Sequence, residues 1–447
     1  MSKRPRDALV LMTLGVAAIC GMPTLAVESP WQGPNGNSLA VEATSAGVFT
    51  LTLGQAMRRT LETHPDLRLS DYAERGLQAS AAIAAQRPPL VAGLLIENAL
   101  GTAPTTGFND AQITLSLASI LERGGKREAR RALAENQLGA LGAAREAKRL
   151  DLLAEVARRY LDAVAAQSAA NIAAIDVAQR ARTVDAADKR VRAGASPESV
   201  RLTAEAMHAR ALLDRDRVNR EAEAAYQRLA ILWNDRAPSA TRVAGDPLQL
   251  PQVPQFSALT ALLEETPELK RFAGEARVRE ARLQLARSAR TPDFSWEVGV
   301  QRLNDFGSWG IKAGFTMPLG ASRRAEPEVR TSQNEIEALS LERESSELTL
   351  QATLVQAYGQ YVSRKAEVEG CRDHLLPLLT RAEASAERAY RTGALSYLEW
   401  AQVQSEITSV RRQQLTAAID AQRALIEIQR LTGDAFIQPS SIKDSTP

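Results

Sequence analysis

A proline-free stretch from Gly124 to Ala195 constrains the fold of this chain more than any other feature. Apolar residues recur along it at spacings of three and four positions, which predicts one amphipathic helix; examples are Leu150, Leu153, Ala157, Tyr160 and Val164. A helix of about 65 residues would be roughly 100 Å long at about 1.5 Å per residue. No compact domain has a core of that length, so the helix must lie against other helices in a coiled coil or a helical tube.

The chain also contains the same unit twice. The segment LETHPDL at 61–67 returns as LEETPEL at 263–269, and RAGA at 192–195 returns as RTGA at 391–394. Tyr160 has a counterpart in Tyr358. The order is kept and each pair is separated by about 200 residues, so the pattern indicates duplication of a whole domain, not a solenoid of short repeats.

The first repeat, residues 49–233, is predicted to run helix, two strands, very long helix, tight turn, helix. It opens with an amphipathic helix from about Thr52 to Arg87. Long helices follow at about 126–192 and 197–233, and Gly194 permits the reversal between them.

The second repeat, residues 258–435, has the same predicted order, with long helices at about 328–391 and 396–431 and a reversal at Gly393. Pro377 predicts a kink or break in the first of them. Residues 234–257 are rich in Pro, Gly and Asp, which is typical of a linker. An N-terminal segment at 27–48 and a C-terminal tail at 436–447 are polar and predicted to be flexible.

The N-terminus carries a targeting pattern. Lys3, Arg4 and Arg6 precede an apolar run at 8–19, and small residues follow toward Ala26. This layout predicts a secretory signal peptide over 1–26, cleaved after Ala26. Cys20 offers an alternative, lipoprotein cleavage before the cysteine with lipidation of its side chain, although Ile19 stands where a small residue is expected.

Four short segments alternate apolar and polar residues with period two, which predicts strands; they lie at about 93–101, 111–118, 294–302 and 309–317. After residue 26 no stretch reaches the roughly 18 uninterrupted apolar residues that a membrane helix requires. Any membrane insertion would therefore be by strands. A small soluble sheet packed on helices would show the same alternation.

Two details favour strands with lipid outside and water inside. The polar faces carry Glu97, Glu297 and Lys312, which suit an aqueous barrel lumen. Large aromatic residues concentrate near the strand ends, as a lipid-facing girdle does; they are Phe294, Trp296, Trp309 and Phe315. Open strand edges in lipid would leave backbone groups unpaired, so four strands cannot close a pore and more than one copy is needed.

The signal peptide, the duplicated unit, the paired strands and the glycine reversals together resemble the TolC-like outer-membrane efflux factors. The resemblance covers essentially the whole chain after the signal. Finer motifs resemble the CzcC-like branch, the outer-membrane components of heavy-metal (cobalt-zinc-cadmium type) efflux systems; they are IEN at 96–98, LERGGKR at 121–127, PDF at 292–294, VGVQR at 298–302 and MPLG at 317–320. The segment GASRR at 320–324 departs from the Asn- and Gly-containing turn expected there.

The resemblance implies a mainly α-helical fold with a small β part. It implies a homotrimer whose twelve-stranded outer-membrane β-barrel continues into a periplasmic α-helical barrel. Its partners would be a periplasmic adaptor (membrane fusion) protein and a proton-driven inner-membrane pump of the RND type. The adaptor-docking tips map to Arg192, Gly194 and Ala195 and to Arg391, Gly393 and Ala394.

The same resemblance maps the periplasmic gate to Glu399. Three residues on, where many relatives carry a second acid, stands Gln402. A ring with fewer carboxylates holds cations less strongly, so weaker cation selectivity is expected. Without the resemblance, Glu399 would be interpreted as a solvated helix residue.

No pattern for catalysis or for a bound cofactor occurs in the sequence. The histidines, His64, His208 and His374, lie far apart, and Cys371 stands alone in the predicted mature helices, so no metal-ligand spacing is found. No glycine-rich phosphate loop follows a strand, and no Ser/His/Asp set suggests itself. A formal charge of +2 gives no reason to expect nucleic acid as a partner.

The chain is therefore predicted to be a non-enzymatic, passive conduit. By resemblance it would export heavy-metal cations from the periplasm or an inner-membrane pump to the exterior. Two alternatives stay open: a drug-efflux or type I secretion channel of the same fold, and a periplasmic coiled-coil scaffold or adhesin.

Overall fold

The computed structural model describes residues 50–100, 102, 107–108, 111–236, 238, 242–303 and 307–433. The predicted signal peptide, Cys20, the segment 27–48 and the tail 436–447 lie outside the described residues. The described residues all belong to one compact unit that begins at Val48.

The first half of this unit begins with a short strand and two helices, followed by a strand pair and two long helices. The elements are β1 (Thr50–Leu51), α1 (Leu53–Thr63), α2 (Pro65–Ala84), β2 (Val91–Glu97), β3 (Gln112–Leu121), α3 (Lys126–Arg192) and α4 (Glu198–Ala230). A 3₁₀ turn, Ile231–Trp233, ends this half.

The second half has the same order. Its elements are β4 (Arg242–Val243), α5 (Phe256–Leu263), α6 (Pro267–Ser288), β5 (Phe294–Leu303), β6 (Ser308–Thr316), α7 (Ala321–Gly370), α8 (Leu376–Thr392) and α9 (Tyr397–Thr432). A π-helical turn, Cys371–Leu375, joins α7 to α8.

Three predicted boundaries in this unit are wrong, two of them because of proline. The single helix expected over 52–87 is two helices, since Pro65 starts α2 and His64 caps it by accepting a hydrogen bond from the Asp66 amide. The helix expected from about residue 328 begins at Ala321, with Pro327 inside it. A proline at this position removes one backbone hydrogen bond and crowds the carbonyl four residues earlier, yet α7 continues through it.

The third wrong boundary concerns the first strand, which was expected to reach residue 101. β2 ends at Glu97, and Asn98 and Leu100 adopt positive φ angles of 55° and 59°. Positive φ is incompatible with an extended strand. The chain turns away from the sheet at this point.

The interruption expected at Pro377 takes the form of the π turn just before it. The proline ring would clash with the carbonyl four residues earlier in a regular α-helix, and it has no N–H to donate. One extra residue per turn relieves both problems and lets the helical path continue into α8.

A four-stranded antiparallel sheet has the strand order β2-β3-β5-β6. Leu115 of β3 lies opposite Leu94 and Val300, and Val300 lies opposite Ile311. Directly opposed residues share a face. The register therefore collects most of the apolar residues of the four strands on one face and most of the polar and small residues on the other, with Leu95 and Ile120 among the exceptions on the polar face.

The helices form two rows that share α3 and continue into each other. In the row that adjoins the sheet, neighbours follow the order α2, α3, α6, α7. In the row that ends in the tight turns, the order is α4, α3, α9, and then α7 with α8. α3, 67 residues long, belongs to both rows and joins the sheet to the turns.

Residues 242–251, in the predicted linker, are packed into the middle of this structure. β4 pairs in parallel with β1, and the hydroxyl of Tyr160 lies 2.9 Å from the Leu51 carbonyl oxygen and 2.5 Å from that of Ala244. Tyr361 donates in the same way to the carbonyl of Pro251. The functional counterpart of Tyr160 is therefore Tyr361, whereas Tyr358, the expected counterpart, packs against the Phe256 ring at 5.6 Å.

Candidate functional site

The apolar face of the sheet is exposed over its whole area. Leu94, Leu115, Ile311 and Phe315 lie on it, and the last two are 84% and 79% exposed. A sheet that packs on a core buries such a face, and contiguous apolar surfaces of this kind mark contact with lipid or another protein. The helices of the described chain do not cover it.

The other face of the sheet is polar. Lys312 Nζ lies 3.9 Å from Glu297 Oε1, and Gln301 Nε2 donates to Gln112 Oε1 at 2.9 Å. Glu97 ends β2 and is exposed. The three charged residues predicted for a lumen thus share the face opposite the apolar one.

The predicted aromatic residues lie at both ends of the apolar face. Phe294, Trp296 and Phe315 are at the end that joins the helices, with Trp296 opposite Phe315. Trp309 lies at the far end, where the Arg302 guanidinium sits 5.7 Å from its ring centroid. Two aromatic bands separated by aliphatic residues are the arrangement that membrane interfaces favour.

Both outer strands of the sheet lack a partner within the described residues, namely β2 at one edge and β6 at the other. The outermost helices of the two rows lie on the matching sides: α2 and α4 on the β2 side, α7 and α8 on the β6 side. Large exposed apolar side chains occur on these four helices; they are Leu69, Tyr72 and Ile83, Leu202 and Leu213, Leu341, Leu348, Val355 and Val362, and Leu378. On α7 they recur every seven residues, which is the spacing of a coiled-coil seam.

The junction between the sheet and the long helix is held by Asp293. Its Oδ1 accepts the Arg123 amide at 3.0 Å, and its Oδ2 lies 2.8 Å from Lys126 Nζ. Partial burial disfavours the charged carboxylate, but the bonds from Lys126 and Arg123 outweigh it and lower the pKa of Asp293 below its usual range. A β-carbon on Gly124, which has φ +74°, would lie 2.6 Å from Thr291 Cβ, so only glycine fits there.

This junction brings together two motifs that are far apart in the chain, LERGGKR at 121–127 and PDF at 292–294. Glu122 adds a paired contact, since its two carboxylate oxygens lie 2.5 and 2.9 Å from the Arg130 guanidinium. Sequence reasoning singled out both motifs but missed their contact, because spacing along the chain carries no information on a partner about 170 residues away.

The two tight turns, which contain Gly194 and Gly393, lie beside each other at the end of the helices that is far from the sheet. Gly194 and Gly393 have φ angles of +70° and +86°, which glycine adopts without strain. Arg192 and Arg391 are exposed and each pairs with an acid one helical turn earlier, Asp188 at 2.8 Å and Glu387 at 2.5 Å. Ala195 and Ala394 are exposed as well.

Glu399 lies in the first turn of α9, next to the second tight turn. Its Oε2 accepts from the Ser396 amide at 3.0 Å and from the Ser396 hydroxyl at 2.6 Å, which completes a capping box. These bonds lower the pKa of Glu399. Gln402 is also exposed and follows one turn later on the same side of α9.

The sequence model of the family described as outer membrane efflux protein matches residues 56–235 and 258–434, well over half of the chain and once for each repeat. The chain belongs to the outer membrane efflux protein family. It is TolC-like, and it is a non-enzymatic conduit, as its family is.

Individual members of the outer membrane efflux family resemble the chain over nearly its full length. The cobalt-zinc-cadmium resistance protein CzcC of Cupriavidus metallidurans is 24% identical over 428 residues, which are 95% of this chain and 99% of that one. A solved structure of CusC, described in terms of folding and transmembrane channel formation, superposes with a TM-score of 0.72 at 16% identity, covering 89% of this chain and 96% of that one. The outer membrane protein VceC of Vibrio cholerae gives 0.68 at 18%, covering 86% and 97%.

Neither a metal-binding cluster nor a membrane-spanning helix occurs among the residues that the structure describes. In the part of the chain that the structure describes, no three His, Cys, Asp or Glu residues are grouped so that they could hold a metal ion. Cys371 is buried at the start of the π turn. Among the helices described, none has both the length and the apolar content to cross a membrane.

Proposed function

We propose that this chain is the outer-membrane channel component of a tripartite efflux system and a passive conduit for heavy-metal cations. The observation that carries the proposal is the sheet, which exposes an aliphatic face with aromatic residues at both ends, has a polar opposite face, and leaves both edge strands without a partner among the described residues. Such a sheet is unstable as a monomer in water and suited to a closed assembly in lipid.

Three copies would close the sheet into a barrel of twelve strands. The two edges differ, so closure must be head to tail, with β6 of one copy pairing with β2 of the next. The matching positions of the edge helices support the same arrangement, with α7 against α2 and α8 against α4 of the neighbour. The exposed apolar residues on those helices would then be buried, and the helical rows would form a tube.

The channel would lie in the outer membrane, with Phe294, Trp296, Trp309 and Phe315 at the lipid interfaces. Glu97, Glu297 and Lys312 would face the barrel lumen. The long helices would extend into the periplasm, roughly 100 Å for α3 at about 1.5 Å per residue. The turns at Gly194 and Gly393 would then meet a periplasmic adaptor, and beyond it an inner-membrane pump of the RND type.

The metal cargo is supported by the similarity to CzcC, which spans almost all of both chains. In the described residues no side-chain cluster could select a metal. Selection among cargoes would therefore belong to the pump, and the channel would act by its shape and charge.

The channel is tested by extracting the protein in detergent and measuring its mass and its conductance in planar bilayers. A particle of three chains that conducts is the expected result. A monomer without conductance would reject the channel and favour a periplasmic scaffold.

The cargo is tested separately by deleting the gene and restoring it. Loss of tolerance to zinc, cobalt or cadmium salts, regained with the wild-type gene, is expected. Sensitivity to dyes and antibiotics alone would instead assign the channel to drug efflux.

A further inference from the structure

One arginine, Arg190, contacts both tight turns at once. Its Nε donates to the Ser196 hydroxyl at 3.1 Å and its Nη2 to the Ala195 carbonyl at 3.1 Å, both in the first turn. Its Nη1 donates to the carbonyl of Tyr390, at the end of α8 and therefore at the start of the second turn. The guanidinium carbon also lies 4.9 Å from the centroid of the Tyr390 ring.

The second turn requires glycine because of its backbone angle, since Gly393 has a φ of +86°. A β-carbon there would lie 3.6 Å from both terminal nitrogens of Arg190, an ordinary van der Waals contact, so the guanidinium lies directly against this residue. Arg190 is half-buried, and its fork of donors matches two carbonyls and a hydroxyl from different directions. A lysine could not reproduce that geometry, because its single nitrogen cannot reach three separated acceptors.

The arginine has no equivalent in the second repeat. When the turns are aligned on Gly194 and Gly393, the position of Arg190 is occupied by Ala389. One side chain from the first repeat therefore serves both turns. Beneath it, a buried cluster joins the ends of all four helices; it contains Ala187, Ala204, Tyr390 and Trp400.

We propose that Arg190 is a positioning residue that fixes the two turns as one composite docking surface for the helical tip of a periplasmic adaptor. This inference rests on the proposed function for the identity of the partner. It adds that neither turn docks alone, because one guanidinium ties the two turns to each other above the buried cluster that joins their helices.

The first test is amide hydrogen exchange of the full chain in detergent, comparing Arg190→Gln with wild type. Exchange should become about tenfold faster in both turns, including residues 391–396, which lie far from the substitution in sequence. Lys189→Gln is the matched control, because Lys189 is its neighbour, is 73% exposed and pairs only with Asp185 at 2.7 Å. Faster exchange in the first turn alone would overturn the proposal.

The second test measures docking in living cells with a photo-crosslinker at Ala394, which is exposed in the second turn. The adduct is identified by mass spectrometry. With Arg190→Gln the amount of adaptor adduct should fall by about fivefold or more. The amount of trimer and the bilayer conductance should stay at wild-type values. Misfolding would lower all three quantities together. Arg190→Lys should restore part of the adduct, and Lys189→Gln should leave it unchanged.

The possible failures are distinct. If wild type forms no adaptor adduct, the partner assigned under the proposed function is wrong and the docking role falls with it. If wild type forms the adduct and Arg190→Gln forms as much, the proposed function stands and the role of Arg190 is rejected.

Discussion

The sheet end and the turn end of this molecule differ in where they put their largest side chains. At the sheet end Ile311 and Phe315 are 84% and 79% exposed, and both edge strands lack a partner among the described residues. At the turn end Trp400 and Tyr390 are 1% and 2% exposed, inside a cluster that one chain completes by itself. Under the proposed function the sheet end would need further copies and lipid, whereas the turn end is already packed within one chain.

The largest effect is expected from a charge on the exposed apolar face. Val298 lies in the middle of β5, opposite Leu117 and Ala313. Val298→Arg should cost about 2–4 kcal/mol per copy if that face meets lipid. We expect loss of the outer-membrane trimer, measured by semi-native electrophoresis of purified outer membranes.

The matched control places the same charge one residue away on the opposite face. Glu297→Arg replaces a 3.9 Å ion pair with a like-charge contact to Lys312, but both side chains are part-exposed and water screens the repulsion, so assembly should remain near the wild-type level. Equal assembly of the two variants, whether good or poor, would remove the distinction between a lipid face and a lumen face.

At the turn end, removing a large buried side chain should destabilise each chain by itself, without affecting contacts between copies. Trp400→Ala should cost about 3–5 kcal/mol, because it empties the centre of the buried cluster. The trimer should still form at the sheet end. Limited proteolysis should cleave near the turns, and the protected fragment should retain the strands.

Two controls sharpen this prediction. Leu398→Ala removes a large apolar side chain from the same helix, but one that is exposed, and should change little. Trp400→Phe keeps a ring and removes a buried indole N–H that has no hydrogen-bond partner among the residues that the structure describes, so it should be tolerated much better than alanine. If Leu398→Ala were as damaging as Trp400→Ala, the turn end would not be a self-contained core.

The middle of the molecule, which joins the two ends, should respond to alkaline pH. Burial raises the pKa of Tyr160 and of Tyr361 to about 12, whereas both return to about 10 on unfolding. Between these values the unfolded chain loses protons that the folded chain keeps, so stability falls as pH rises from about 10 toward 12. The loss should reach about 2 kcal/mol for each tyrosine.

Thermal unfolding of the detergent-solubilised protein at pH 8 and pH 11 measures this loss. Tyr160→Phe should be less stable than wild type at pH 8, because two carbonyls lose their donor, yet it should lose less on going to pH 11. Tyr72→Phe, at an exposed position, should behave as wild type. A pH response of Tyr160→Phe identical to wild type would contradict the assigned pKa.

Much of the fold could be predicted because its signals are local. The alternation at 111–118 and the absence of proline after Gly124 both lie within one element, and so do the glycines of the two turns. The predicted helix boundaries were wrong at two prolines, because the effect of a proline on a helix depends on its position within that helix. Pro65 begins a helix and Pro327 lies inside one, and the two cases look alike without knowing where the preceding turn ends.

The rest of the candidate site depends on contacts between distant residues. Arg190 meets Tyr390, and Asp293 meets Arg123 and Lys126, only after the two repeats have packed together. Nothing in the local sequence marks Arg190, since arginines are frequent on all of the long helices. The branch motifs around Asp293 were recognisable by resemblance, but their physical role in joining strand to helix emerged only from the packing.

The smallest expected effect concerns Glu399, the gate residue proposed at the turn end. Because its carboxylate also caps α9 through Ser396, replacing it by alanine would mix the loss of a charge with the loss of a cap. Glu399→Gln keeps an acceptor for the Ser396 amide and removes only the charge. We expect a modest decrease in cation over anion permeability in planar bilayers with unchanged trimer stability, and an unchanged reversal potential would leave Glu399 as a helix cap alone.

Because hydrogen bonds from Ser396 lower the pKa of Glu399, the selectivity of the wild type should persist as the solution is acidified to pH 5, whereas a carboxyl with a raised pKa would lose it.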